Sequence, residues 1–211
     1  MKLLKSTAKV GAATIISRVL GFVRDMVFAR YFGASAATDA FFLAFKIPNF
    51  MRRLFAEGAF AQAFVPVLAE YREQRSPEAV QELISRVSGT LLGILSLVAV
   101  LGVLASPVLI TVFAPCFLYR DTAQFELAAG MLRLTFPYIL FVSLVAFAAG
   151  VLNTFGRFAA ASLTPVWLNI VLISAALLVA PRLEQAEMAL AGGVLVAGIV
   201  QLLFLLPSLR R

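Results

Sequence analysis

Histidine is absent from the 211-residue chain, and cysteine occurs once, at Cys116. A single thiol excludes an internal disulfide, and the lack of histidine removes the usual ligands of zinc and haem and the commonest general base. Cys116, beside Pro115, is expected to be a packing residue. Charge is scarce too: Asp, Glu, Lys and Arg make up 14% of the chain, against about 25% in an ordinary soluble domain. There is no Gly-rich loop ending in Lys-Ser/Thr, no Asp-rich prenyl-diphosphate motif and no His-based phosphatase pattern. Nucleotide-dependent and metal-dependent phosphate chemistry therefore lacks its usual residues, and an enzyme is the weakest reading.

What the chain has in abundance is apolar surface. Hydrophobic residues make up 62% of it, and the mean hydropathy is +0.96. A soluble core of this size cannot hide that much surface from water, so the natural solvent is a lipid bilayer. Charges punctuate long apolar runs in the second half. Uncharged stretches of 33, 23, 24 and 22 residues follow Arg86, Arg133, Arg157 and Glu187, each above the roughly 18 residues of a spanning helix. The first 86 residues hold five of the seven net positive charges, yet stay apolar between them. Two further helices can be drawn there, on either side of the turn-like Phe32-Gly33-Ala34-Ser35. The expected architecture is all-α and polytopic, with six transmembrane helices over about 10–32, 38–69, 87–114, 124–153, 158–181 and 188–209. The polar stretch from Glu70 to Arg86, with Ser76-Pro77 as a break and helix start, reads as a solvated connection.

Positive charge also sets an orientation. With the N-terminus cytoplasmic, Lys2, Lys5, Lys9, Arg72, Arg75, Arg86, Arg157, Arg210 and Arg211 fall inside, and only Arg30, Arg120 and Arg182 fall in outer turns. This bias predicts both termini in the cytoplasm and accounts for most of the basic excess without nucleic acid. Arg133 is left to snorkel at the outer interface. The eight apolar residues between Lys9 and Arg18 are too few for a signal-peptide core, so the first segment is expected to stay in the mature protein.

A smaller set of charges lies at bilayer depth. On the first helix Thr14, Ser17, Arg18, Gly21, Arg24 and Asp25 fall within about 120° of one another. On the second, Asp39, Lys46, Arg53 and Glu57 fall within about 40°, flanked by Asn49 and Arg52, with Pro48 kinking the helix. Each cation facing lipid near the bilayer centre costs about 2.5–3.5 kcal/mol. Two readings avoid that cost. In one, Arg24 pairs with Asp25, Lys46 with Asp39 and Arg53 with Glu57 inside the bundle. In the other, the stripes line a hydrated cationic cavity for an anionic ligand such as a pyrophosphate, which suits guanidinium forks and the excess of bases over carboxylates. Helical glycines, including Gly89 and Gly93 in a small-xxx-small pattern, are expected to allow close helix packing, and Asn153, Asn169 and Gln201 to make interhelical hydrogen bonds.

The quoted residues also carry a resemblance. Ser17-Arg-Val-Leu-Gly-Phe-Val-Arg-Asp25, Phe32-Gly-Ala, Ala37-Thr-Asp-Ala-Phe-Phe42, Phe45-Lys-Ile-Pro-Asn49 and the stretch Arg52-Arg-Leu-Phe-Ala-Glu-Gly-Ala-Phe-Ala-Gln-Ala-Phe-Val-Pro66 resemble the MurJ (MviN) lipid II flippases of bacterial peptidoglycan synthesis. Thr135-Phe-Pro-Tyr-Ile139 and Leu152-Asn-Thr-Phe-Gly-Arg-Phe158 agree with it. The resemblance implies one lobe of a two-lobe alternating-access transporter in the bacterial inner membrane. It implies that Arg18, Arg24 and Arg52 engage the lipid-linked pyrophosphate, with Ser17, Lys46 and Asn49 as neighbours. Asp25, Asp39 and Glu57, with Arg53 beside them, are implied in gating or transport. Family members are about twice as long, so the resemblance implies a second lobe supplied by further chain or by a second copy. Any sodium site would lie in that lobe, and no cofactor is implied beyond an ion gradient or membrane potential. A flippase for another lipid-linked oligosaccharide and a non-transporting scaffold subunit are the alternatives.

Overall fold

The computed structural model describes residues 2–52, 60–120 and 122–209, which are helical throughout apart from short turns. The helices are α1 (Lys2–Tyr31), α2 (Ala36–Arg52), α3 (Phe60–Gln74), α4 (Pro77–Leu104), α5 (Ser106–Phe113), α6 (Pro115–Arg120), α7 (Thr122–Thr135), α8 (Tyr138–Thr154), α9 (Phe158–Ser162), α10 (Thr164–Ser174) and α11 (Ala186–Leu209). Helix α10 continues through a π-helical turn at Ala175–Val179 and a 3-10 turn at Ala180–Arg182. Among the described residues, four stretches are long and apolar enough to cross a membrane: Pro77–Leu104, Thr122–Thr154, Phe158–Arg182 and Ala186–Leu209. The expected helix over 10–32 falls on α1, and the one over 38–69 overlaps α2 and α3, with 53–59 outside the described residues; none of α1, α2 and α3 is among those four stretches.

Local chemistry places several boundaries away from the apolar pattern. Helix α4 begins ten residues before its first long apolar run, because Ser76 accepts from the Ala79 amide as N-cap and Pro77 occupies the first turn. The polar connection is thereby mostly helical, carried by the end of α3 and the start of α4. Helix α8 ends in a Schellman motif: Gly156 adopts φ +75°, its N–H donates to the Asn153 carbonyl, and the Arg157 N–H donates to the Leu152 carbonyl. Cys116 is exposed rather than packed.

Helix α11 forms the centre, packing on α8, α10, α7 and α2. Its inward stripe of Leu190, Val194, Ala197, Gly198, Gln201 and Leu205 is buried. Glycine matters where helices touch. A Cβ at Gly198 would stand 2.8 Å from the Tyr138 ring, and one at Gly102 would overlap Phe136 at 1.8 Å. The small-xxx-small pair does not behave this way, since nothing lies within 4 Å of a Cβ at Gly89 or Gly93. Those two glycines touch no other helix of the described chain at their Cβ positions.

The prolines have named compensation. Pro48, fully buried in α2, cannot donate to the Ala44 carbonyl, and Thr135 on α7 donates its hydroxyl there instead at 2.9 Å. Ser106 and Thr164, each preceding a proline, likewise donate to the Val103 and Ala161 carbonyls at 2.8 Å. Thr135→Val keeps the shape and orphans the Ala44 carbonyl. It is expected to cost about 1–2 kcal/mol, read as a lowered melting temperature in detergent, whereas Thr135→Ser should retain most of the stability.

Candidate functional site

The polar stripe of α1 lies against α10 and is organised by a single asparagine. Helix α10 starts at Thr164-Pro165 and carries Asn169 one turn later, buried to 95%. Its Nδ2 donates to the Ser17 carbonyl at 3.1 Å, and its Oδ1 accepts from Arg24 Nη1 at 3.1 Å. Gly21 lies beside this amide: a Cβ there would stand 3.8 Å from Asn169 Nδ2, an ordinary contact. Asn169 therefore uses both ends of its amide on α1.

Arg24 is held on a second side by its neighbour. One Asp25 carboxylate oxygen accepts from Nη2 at 2.7 Å and from Nε at 3.0 Å. The guanidinium also sits 5.9 Å above the Phe28 ring, a cation–π distance. The Arg24 side chain is 23% exposed and that of Asp25 is 65% exposed. Three of the five N–H donors of Arg24 are engaged, which leaves two for a ligand. Arg18, on the same face, is exposed and makes no ion pair or hydrogen bond among the described residues. Thr14 closes its hydroxyl onto the Val10 carbonyl and offers an acceptor only.

Helix α2 presents its charges on the side opposite its core contacts. Phe41, Ala44, Ile47 and Pro48 are buried, while Asp39 and Lys46 are exposed. Asp39 and Lys46 make no ion pair with each other, and geometry explains it: seven residues separate them, about 10 Å along the axis. Asn49 is half-buried and engaged in a contact. Arg53 and Glu57 lie outside the described residues, as does the side chain of Arg52.

The two stripes are linked at one place: Phe28 and Phe41 meet edge to face at 6.0 Å, joining the end of α1 to α2 across the short turn. Along the rest of its length α1 packs on α10 and α9. Arg24, Asp25, Ser17 and Asn169 thus form one hydrogen-bonded cluster. Asp39 and Lys46 face outward from the neighbouring helix without touching it. The sequence pattern marks Asn169 as an interhelical hydrogen-bonding residue but gives it no place beside Arg24, because its partner lies 145 positions away.

This arrangement is one of basic side chains held on an apolar helix pair, with donors to spare and no metal-ligand cluster among the described residues. The family model described as "Lipid II flippase MurJ" matches residues 28–211. A "Probable lipid II flippase MurJ" of Vibrio cholerae is 48% identical over 217 residues, covering 100% of this chain and 41% of that protein. The "Lipid II flippase MurJ" of Burkholderia cenocepacia is 44% identical, with the same coverage of 100% and 41%. A solved structure titled "Lipid II flippase MurJ, inward closed conformation" superposes with a TM-score of 0.79 at 31% identity, over 94% of this chain and 41% of that one. The chain spans about two fifths of the length of these relatives. On the family match and on identities sustained along its whole length, the chain belongs to the MurJ lipid II flippase family.

Proposed function

We propose that the intact protein moves lipid II from the cytoplasmic to the outer leaflet of the bacterial inner membrane, and that this chain supplies one lobe of it, with both termini of the segment cytoplasmic. The observation that carries the reading is Arg24: half-buried on an apolar helix, fixed by Asp25 and Asn169, and left with two free N–H donors. A fork held in that way meets a phosphate with little further loss of side-chain freedom. Arg18, on the same face and without an ion pair among the described residues, adds a second cation, and Arg52 a third from the end of α2. Ser17, Lys46 and Asn49 flank them.

A pyrophosphate carries charge that the bilayer core excludes, since isolated ions lose many kcal/mol of hydration there. Three arginines neutralise that charge while the lipid tail stays in the membrane. Alternating access to the two sides, with Asp25, Asp39, Glu57 and Arg53 exchanging ion-pair partners, then delivers the headgroup across. Release requires competition for the arginines, and Asp25 is placed for it: its carboxylate already occupies two Arg24 donors. Coupling to an ion gradient or to the membrane potential, with no bound cofactor, fits a charged headgroup.

Binding tests this reading directly. Native mass spectrometry of the intact protein should show retention of an undecaprenyl-pyrophosphate lipid, and Arg18→Ala, Arg24→Ala and Arg52→Ala together should lower occupancy at least about 100-fold, as expected from losing several charge-assisted bonds of about 1.5–3 kcal/mol each. Equal occupancy in the triple variant would refute the clamp.

A further inference from the structure

A groove of about 1,080 Å³ runs between α4, α8 and α11, and no residue of α1 or α2 contributes to it. We propose that it binds one acyl chain of an anionic phospholipid, whose headgroup phosphate rests on Arg157. This site is separate from the α1 face and independent of the transport reading.

The walls are apolar and belong to membrane-spanning helices: Leu92 from α4, Leu144 and Phe147 from α8, Leu202 and Leu206 from α11. Gly89 forms part of the α4 wall, where open space faces its missing Cβ, so the helix presents a trough rather than a ridge. Along α8 the groove reaches from Leu144 to Phe155, and along α4 from Leu92 back through its polar first turns to Pro77. At 1.5 Å per residue the apolar α8 wall is about 16 Å long, close to the roughly 15 Å of one leaflet's hydrocarbon. One leaflet's acyl chain fits that depth.

The mouth lies where the spans end. Pro77 opens α4, Arg157 sits in the turn between two spans, and Ser208, whose carbonyl Arg157 reaches, lies in the last described turn of α11. The Schellman turn at Gly156 fixes the Arg157 backbone, and Arg157 Nη1 donates to the Ser208 carbonyl at 2.8 Å. That acceptor is neutral. Arg157 makes no ion pair among the described residues, so its charge stands uncompensated at the membrane interface, beside Gln81 and Ser85 as further hydrogen-bonding groups. The nearby Arg86, by contrast, is neutralised by Glu82 at 2.6 Å. A cation at an apolar slot one leaflet deep favours a phospholipid of net negative charge over a zwitterionic one, whose choline offsets its phosphate, and over a soluble phosphate, which has no tail for the slot.

The test places the intact protein in nanodiscs with phosphatidylglycerol or phosphatidylcholine carrying a photoactivatable acyl chain, and maps the adducts by mass spectrometry. Phosphatidylglycerol adducts should concentrate on Leu92, Leu144 and Leu202 and exceed those of phosphatidylcholine. Arg157→Gln should lower the phosphatidylglycerol yield about fivefold and leave the phosphatidylcholine yield unchanged. Gly89→Phe, whose Cβ would have no atom within 4 Å, should place its ring in the trough and lower both yields, with circular dichroism and the melting temperature checking that the fold is kept. Equal yields from the two lipids, adducts spread evenly over the exposed α4 residues Ile94, Leu97 and Leu101, or cross-links joining two copies through α4 would each overturn the proposal.

Discussion

Arg24→Ala in the intact protein is expected to abolish transport of a lipid-linked pyrophosphate in proteoliposomes, a loss of about 100-fold or more if two charge-assisted hydrogen bonds to the phosphate disappear. Arg24→Lys should recover little. Lysine keeps the charge but lacks the planar fork that reaches Asp25, Asn169 and a ligand at the same time. Asn169→Ala separates positioning from charge. It leaves Arg24 and Asp25 in place and removes the hydrogen bond from Nη1 and the tie to the Ser17 carbonyl. Its expected cost is about tenfold in transport, weighted toward substrate affinity and with a smaller change in melting temperature. Wild-type transport by Arg24→Ala would remove Arg24 from the binding face.

A large structural effect is expected at Gly198. Its missing Cβ would lie 2.8 Å from Tyr138 Cδ2 and 2.9 Å from Phe141 Cβ, so a larger residue forces α11 away from α8 at the centre of the bundle. Gly198→Val should destabilise by about 3 kcal/mol, the upper end for overpacking, and lower the melting temperature by roughly 6–12 °C for a chain of this size. Gly89→Val is the control, because no atom lies within 4 Å of its Cβ position. A change there should stay within about 0.5 kcal/mol. If both variants melted together, helix contact would not be what distinguishes these glycines.

The four apolar spans were legible because charge interrupts hydrophobic runs longer than the bilayer is thick, and that signal needs no tertiary information. The polar face of α1 was legible for a similar reason: residues at helical spacing share a face whatever they pack against. What the face touches was not. Asn169 reads as one polar residue in an uncharged run, and only the packing of α10 on α1 turns it into the partner of Arg24. Pro48 announces a broken hydrogen bond, but the donor that repairs it, Thr135, lies on α7. The pairing of Lys46 with Asp39 failed because a shared azimuth does not imply contact two turns apart. The Gly89 and Gly93 pattern resembles a packing motif, yet glycine removes a side chain equally from a contact or from a groove. The start of α4 was obscured because a cap and a charged first turn, rather than hydropathy, determine where a helix begins.

Accessibility labelling tests the central claim, that the α1 face is a hydrated cationic surface open to each side of the membrane in turn. Single cysteines at positions 18, 24 and 52, with Cys116 replaced by serine, would be challenged in intact and inverted vesicles with a membrane-impermeant thiol reagent. The account predicts that all three react from both sides and that a lipid-linked pyrophosphate protects them. Cysteines unreactive from either side, under conditions where a surface cysteine at position 75 reacts, would mean that the charges pair in a dry interior and would contradict it.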